Sequence, residues 1–223
     1  MRSLGEGGCA DAGGWSLVVP LKPLSRAKSR LAREAGAGPT PGLALAFAQD
    51  TVAAALACPA VRDVVVVTDD PLAGAELGAL GARAVRDEPG SGLNAALAHG
   101  ARVVRQVRPE AAVAALNADL PALRPTELAR VLRAAAGSPR AFLADAAGVG
   151  TTLLCALPGT ELAPAFGALS RARHRDSGAA EIPLADVDSV RRDVDTVEDL
   201  HAALALGVGP RTAAAAALLA AAD

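Results

Sequence analysis

Asp119, Asp193 and Asp195 are the residues of this sequence best suited to hold a divalent cation, and Lys22, Arg26, Lys28 and Arg30 those best suited to hold phosphate. Asp119 stands in Leu116-Asn117-Ala118-Asp119-Leu120-Pro121, at the end of an apolar run and just before a proline that turns the chain. Mg²⁺ prefers one or two carboxylates, with substrate phosphates and water filling its remaining positions. An aspartate there is also an ordinary turn or helix-cap residue. Asp193-Val194-Asp195 reads as the end of a strand, which would put both carboxylates on one side because side chains alternate. Two carboxylates that close repel one another unless a cation lies between them. Solvation at a strand end and capping of the next helix are their structural alternatives. Thr196, with Asp199 three residues on, makes the better cap. The four basic residues fall within nine positions after a strand. Lysine offers a point charge and arginine a bidentate fork to phosphate; a solvated basic helix face would look the same.

Three further segments offer donors to an anion. Gly148-Val149-Gly150-Thr151-Thr152 is a tight turn expected to expose amides and a hydroxyl. Phe166-Gly167 and Ser170 form a second loop, in which Ser170 could equally cap a short helix. Ser91-Gly92-Leu93-Asn94 opens a helix, a donor-rich end suited to a nucleotide and equally to plain helix initiation. His99, His174 and His201 stand alone and read as surface or core residues. No Walker A sequence, GxGxxG after the first strand, or GxSxG elbow is present, which disfavours a P-loop NTPase, a dinucleotide-binding dehydrogenase and a Ser–His–Asp hydrolase.

Val-rich segments alternating with Ala-rich ones must position these residues. Strands are expected at 15–20, 61–68, 82–86, 111–116, 140–144, 152–157 and 187–194, and helices at 43–56, 72–80, 93–107, 126–136 and 196–206. The near-continuous valines of 61–68 suit a strand buried on both faces. The class is therefore α/β with a mostly parallel central sheet, whose ligands lie at the carboxyl ends of the strands. Residues 1–14 read as a disordered leader, 15–209 as one domain and 210–223 as an Ala-rich tail. The 223 residues can bury a real core, and a formal net charge of −2 removes any global pull toward nucleic acid or anionic membrane. Aromatic residues make up 2%, too few for base-stacking platforms. Cys9, Cys58 and Cys155 form no CxxC pair, which suits a reducing cytoplasm, with Cys58 and Cys155 as small core residues. The longest apolar run is about half of what a membrane span requires.

The segments VVPLKPLSRAKSRLA, SGLNAAL, ADLPAL, GVGTTLLCAL, FGALSRARHRDSGA and DVDTVEDL, in this order, resemble the guanylyltransferases of coenzyme F420 biosynthesis. That family comprises 2-phospho-L-lactate guanylyltransferases and an actinobacterial branch that uses phosphoenolpyruvate. The resemblance implies a single-domain, Rossmann-like nucleotidyltransferase fold of GT-A-like type. It implies Mg²⁺ on Asp119, Asp193 and Asp195, and phosphoenolpyruvate at Thr151, Gly167 and Ser170. Lys22, Lys28 and Arg30 would attend the phosphates of GTP, and Gly92 and Asn94 the nucleoside. The product would pass to the next transferase of the F420 pathway. Pro-Thr-Pro-Gly stands where the family often has an arginine, and Val197 where proline is usual. Transfer to 2-phospho-L-lactate and a non-catalytic nucleotide-binding protein are the alternative readings. Oligomeric state is left open, a homodimer included.

Overall fold

The computed structural model describes residues 14–26, 41–88 and 90–220. The leader expected at 1–14 lies, but for Gly14, outside the described residues, as do Lys28 and Arg30. Seven strands form one sheet: β1 (Trp15–Pro20), β2 (Val61–Val67), β3 (Arg83–Val85), β4 (Val113–Leu116), β5 (Arg140–Ala144), β6 (Thr151–Ala156) and β7 (Ala180–Glu181). Their order is β3-β2-β1-β4-β6-β5-β7. Neighbours pair in parallel except β6, which runs antiparallel to both β4 and β5. The eight helices described are α1 (Pro41–Leu56), α2 (Pro71–Ala79), α3 (Leu93–Val107), α4 (Pro125–Ala135), α5 (Ser170–Asp176), α6 (Asp188–Arg191), α7 (Val197–Leu206) and α8 (Pro210–Ala220).

The apolar runs of the central strands are explained by what covers them. Leu17, Val19, Val64, Val66, Ala114 and Leu116 face one layer, built from α1, α2 and α4. Val18, Val65, Val67, Val113 and Ala115 face the other, against Ala96, Leu97, Ala101 and Val104 of α3. With both faces dry, alternation disappears from the sequence and valine fills positions 64–67 of β2. At about 25 cal/mol per Å² of apolar surface, this two-sided burial is the main force holding the strand ends in place.

Helix α3 lies unusually close to the sheet at Gly100, where a Cβ would sit 2.4 Å from Val18 Cγ1 and 2.8 Å from Val67 Cγ2. Both valines are buried and stiff at χ1. Gly100→Ala gains about 1 kcal/mol of helix propensity but forces overpacking of about 1–3 kcal/mol. We expect net destabilisation, read as a lower midpoint in urea; a stabilised variant would contradict the close approach.

One expectation about the elements needs correction. The strand expected at 187–194 is instead the short helix α6 followed by irregular chain. The sheet edge beside β5 is taken by β7, a strand not foreseen from the sequence. The amide of Ser189 is bound at 2.9 Å by Glu127 Oε2, as a helix start requires, and its hydroxyl donates to the same oxygen at 2.8 Å. The Ala-rich end, over Pro210–Ala220, is a helix packed beside α1. Cys58 and Cys155 are buried free thiols, as expected.

Candidate active site

Because β6 is inverted, its amino end and the carboxyl ends of β1 to β5 meet along one edge of the sheet. Lys22, exposed, follows β1 there, and Asn117 to Asp119 follow β4. The chain after α6 crosses this edge, where the Val194 amide donates to the Asp119 carbonyl at 3.1 Å. Val194 is buried among Leu43, Phe47, Leu200 and Ala203. One apolar side chain thus anchors the segment and leaves the flanking Asp193 and Asp195 beside the Asp119 loop. Asn117 Nδ2 lies 3.5 Å from Asp193 Oδ2. Burial pushes the Asp193 carboxyl up to about 8, and the neighbouring charges of Asp119, Asp195 and Asp145 push the same way. Three distant stretches of chain therefore place acidic side chains within electrostatic reach of Asp193. The two carboxylates of the Asp193-Val194-Asp195 segment are not the matched strand-end pair expected: Asp193 is half-buried and Asp195 exposed. Thr196 and Asp199 form the capping box foreseen for the following helix, each side chain bonding the other's amide at 3.1 Å.

The loop before α5 is held by His174, which is fully buried. Its Nε2 accepts from the Ala165 amide at 2.9 Å, so the ring proton sits on Nδ1 and is donated to Thr151 Oγ1, also at 2.9 Å. Burial lowers its pKa to about 4, with the charges of Arg140 and Arg173 acting in the same direction. Phe142 and Phe166 pack against the ring. Asn94, near the start of α3, grips Phe166 at both of its backbone polar groups: Oδ1 accepts from the amide at 2.8 Å and Nδ2 donates to the carbonyl at 3.2 Å. Gly167 follows with φ 111°, a conformation that favours glycine. Its Cβ position lies 3.2 Å from Arg173 Nη2, which itself donates to the Phe166 carbonyl at 3.0 Å. Ser170 is buried in the first turn of α5, and Leu169, not Ser170, occupies the capping position.

Known proteins share this architecture. Residues 42–187 match the MobA-like NTP transferase domain. Over 205 residues the chain is 75% identical to a phosphoenolpyruvate guanylyltransferase of Streptomyces coelicolor, covering 92% of this chain and 97% of that protein. The chain belongs to the MobA-like NTP transferases and, within them, to the phosphoenolpyruvate guanylyltransferases. A second relative of the same name, from Streptomyces avermitilis, is also 75% identical, over 92% of this chain and 95% of its own. A nucleotidyl transferase from Methanothermobacter shares the fold, with a TM-score of 0.63 at 20% identity over 87% of this chain and 98% of that one. The enzyme is thus a nucleotidyltransferase with the α/β architecture expected from its sequence.

The structure sets the Asp119 loop beside the Asp193–Asp195 segment of the enzyme, and places Thr151, Gly167 and Ser170 on or beside the loop that His174 holds. Gly92 (φ 98°) opens α3, but the side-chain amide of Asn94 is engaged with Phe166 and acts as a clamp on the loop. The glycine turn is not an open amide cradle. Asp145 accepts from the Val149 amide at 2.9 Å and the Gly150 amide at 2.8 Å, and a Cβ on Gly150 would meet Asp145 Oδ2 at 2.4 Å. Asp145 follows β5, and asking what stands after that strand as after the others would have found it.

Among the described residues no group of three or more His, Cys, Asp or Glu side chains is placed to hold a metal ion by itself. The donor set nevertheless fits Mg²⁺. It consists of hard carboxylate oxygens on an open edge, where substrate phosphates and water complete the shell. Asp193 is pushed up first by its burial and then by the neighbouring charges of Asp119, Asp195 and Asp145, a repulsion that a cation beside them would relieve.

Proposed function

We propose that the chain transfers GMP from GTP to phosphoenolpyruvate, giving enolpyruvyl-diphospho-guanosine and diphosphate. The observation that carries this reading is the meeting of the Asp119 and Asp193 loops at the carboxyl edge of a nucleotidyltransferase sheet. The choice of phosphoenolpyruvate over 2-phospho-L-lactate is supported by 75% identity to enzymes of that name over nearly their full length.

A phosphate oxygen of the acceptor attacks the α-phosphorus of GTP in line, and the bond from that phosphorus to the oxygen bridging it to the β-phosphate breaks. The attacking phosphate is already ionised near neutral pH, so no general base is needed. His174, neutral and fully engaged, is accordingly free of proton-transfer duty. Held by Asp119, Asp193 and Asp195, Mg²⁺ would supply neutralisation of the charge shared between the two reactants. Lys22, exposed after β1, is assigned to the diphosphate leaving group, which needs positive charge, and Lys28 and Arg30 are assigned the same duty. Gly92, at the head of α3, is assigned to the nucleoside side. Thr151 accepts from His174 and so keeps its own hydroxyl proton for an oxygen of the acceptor. Gly167 allows close backbone approach, and Arg173 beside it adds positive charge for a carboxylate. Holding two mutually repelling anions in register supplies much of the acceleration.

The decisive experiment incubates the protein with GTP, Mg²⁺ and each three-carbon acid and weighs the product, coupled to a following transferase if it decays. Diphosphate release with neither acid would overturn the acceptor assignment, and GTP binding without any transfer would return the chain to a non-catalytic binder. Ser170→Ala should raise KM for phosphoenolpyruvate about 10-fold, the loss of one hydrogen bond to a charged group, while leaving KM for GTP nearly unchanged. An equal rise in both would remove Ser170 from the acceptor pocket.

A further inference from the structure

Two consecutive buried polar residues of α1 take no part in the reaction described above. Thr51 is fully buried and Asp50 is 4% exposed, on a helix whose other buried residues include Phe47, Ala48 and Val52. Burying such groups is costly unless every polar atom is used. Thr51 Oγ1 donates to the Phe47 carbonyl one turn back at 2.7 Å, and accepts from the Leu120 amide at 3.0 Å. Its own proton is spent on the helix, and its lone pair holds the residue next to Asp119. Asp50 accepts from the Thr212 amide at 2.7 Å and the Arg211 amide at 3.3 Å, capping the first turn of α8 from another helix. Gly209 passes so close that a Cβ would lie 2.3 Å from Asp50 Cγ, and its amide donates to the Pro121 carbonyl at 2.9 Å.

We infer that Asp50 and Thr51 are positioning residues that set the Asp119 carboxylate, Thr51 directly through Leu120 and Asp50 through α8 and Pro121. The inference rests on the reading of Asp119 as a metal ligand. On this basis the Ala-rich helix α8 is a strap, fastened by Asp50, that closes the far side of the Asp119 loop. With the Asp119 carbonyl held by Val194, residues 119, 120 and 121 are each tied to a different stretch of the chain. A metal-binding carboxylate needs such support, since outer partners of ligands typically contribute about 10- to 100-fold to metal affinity.

Thr51→Val keeps the shape and removes the acceptor. In the full-length protein with GTP present, Mn²⁺ binding followed by electron paramagnetic resonance should weaken about 10-fold. Amide exchange at Leu120, followed by NMR without metal, should quicken about 10-fold, the loss of one hydrogen bond. Thr51→Ser should restore both. Asp50→Ala should weaken Mn²⁺ in the same direction and loosen the α8 amides Arg211 and Thr212. A folded Thr51→Val protein with wild-type Mn²⁺ affinity overturns the inference. If that variant does not fold, unchanged Mn²⁺ affinity in Asp50→Ala overturns it instead. Failure of the wild-type protein itself to bind Mn²⁺ with GTP would overturn the metal reading of Asp119 beneath it.

Discussion

Asp119→Asn should give a folded protein whose diphosphate release from GTP falls by roughly 1000-fold, equivalent to about 4 kcal/mol of transition-state stabilisation. The substitution keeps the size of the side chain and leaves two backbone ties of the loop in place: the Asp119 carbonyl accepts from Val194, and the Leu120 amide donates to Thr51. What is lost is a negative charge at the proposed cation site. The same change separates catalysis from folding by sign. Asp119 is one of the charges that push the Asp193 carboxyl up, so its removal relieves repulsion in the metal-free protein. Thermal unfolding without Mg²⁺ should therefore stay at the wild-type midpoint or rise, while activity collapses. Full Mg²⁺-dependent turnover would remove Asp119 from the metal site. A large fall in melting temperature would make it a structural residue.

That prediction could be framed from the sequence because the sheet obeys simple rules. Valine runs with no alternation mark strands covered on both faces, and the residues following such strands lie along one edge. Asp119 was legible on that basis. The Asp193 segment was placed beside it for a partly wrong reason. The aspartates do not end a strand; Val194, buried against α1 and α7, draws the irregular chain across the edge. Short elements escaped because their signals are not local. Strand β7 is two residues long, and α6 begins where Glu127, 62 positions earlier, binds the Ser189 amide. The contacts of Asp145 and Thr51 were not legible for a related reason. A lone aspartate after a strand, or a lone threonine in an Ala-rich helix, gains meaning only when its partner amides are known. The glycine turn misled in the opposite direction, since its donors were real but already taken.

His174 offers the second large effect, and it joins stability to acceptor binding. The ring sits between Phe142 and Phe166 and satisfies both the Ala165 amide and the Thr151 hydroxyl. His174→Ala should cost about 3–5 kcal/mol, comparable to deleting a buried aromatic ring, and should raise KM for phosphoenolpyruvate more than KM for GTP, because Thr151 and Gly167 lose their shared support. The pH dependence of stability gives an independent check. The folded-state pKa of about 4 lies below the ordinary histidine value of 6.5, so the folded protein keeps His174 neutral while the unfolded chain takes up a proton as pH falls below 6.5. The stabilisation is whole above pH 6.5 and is lost as pH drops toward 4. The difference amounts to about 3 kcal/mol at roughly 1.36 kcal/mol per pKa unit. A proton on Nε2 would face the Ala165 N–H, two donors in opposition, which is the structural cost behind that number. His174→Phe keeps a ring between the two phenylalanines but cannot titrate. Urea denaturation of wild type and His174→Phe at about pH 7 and about pH 4.5 should show the variant's deficit shrinking as the pH falls. A constant deficit would mean that His174 is not held neutral in the folded protein, and that the tautomer which fixes the Thr151 hydroxyl is wrong.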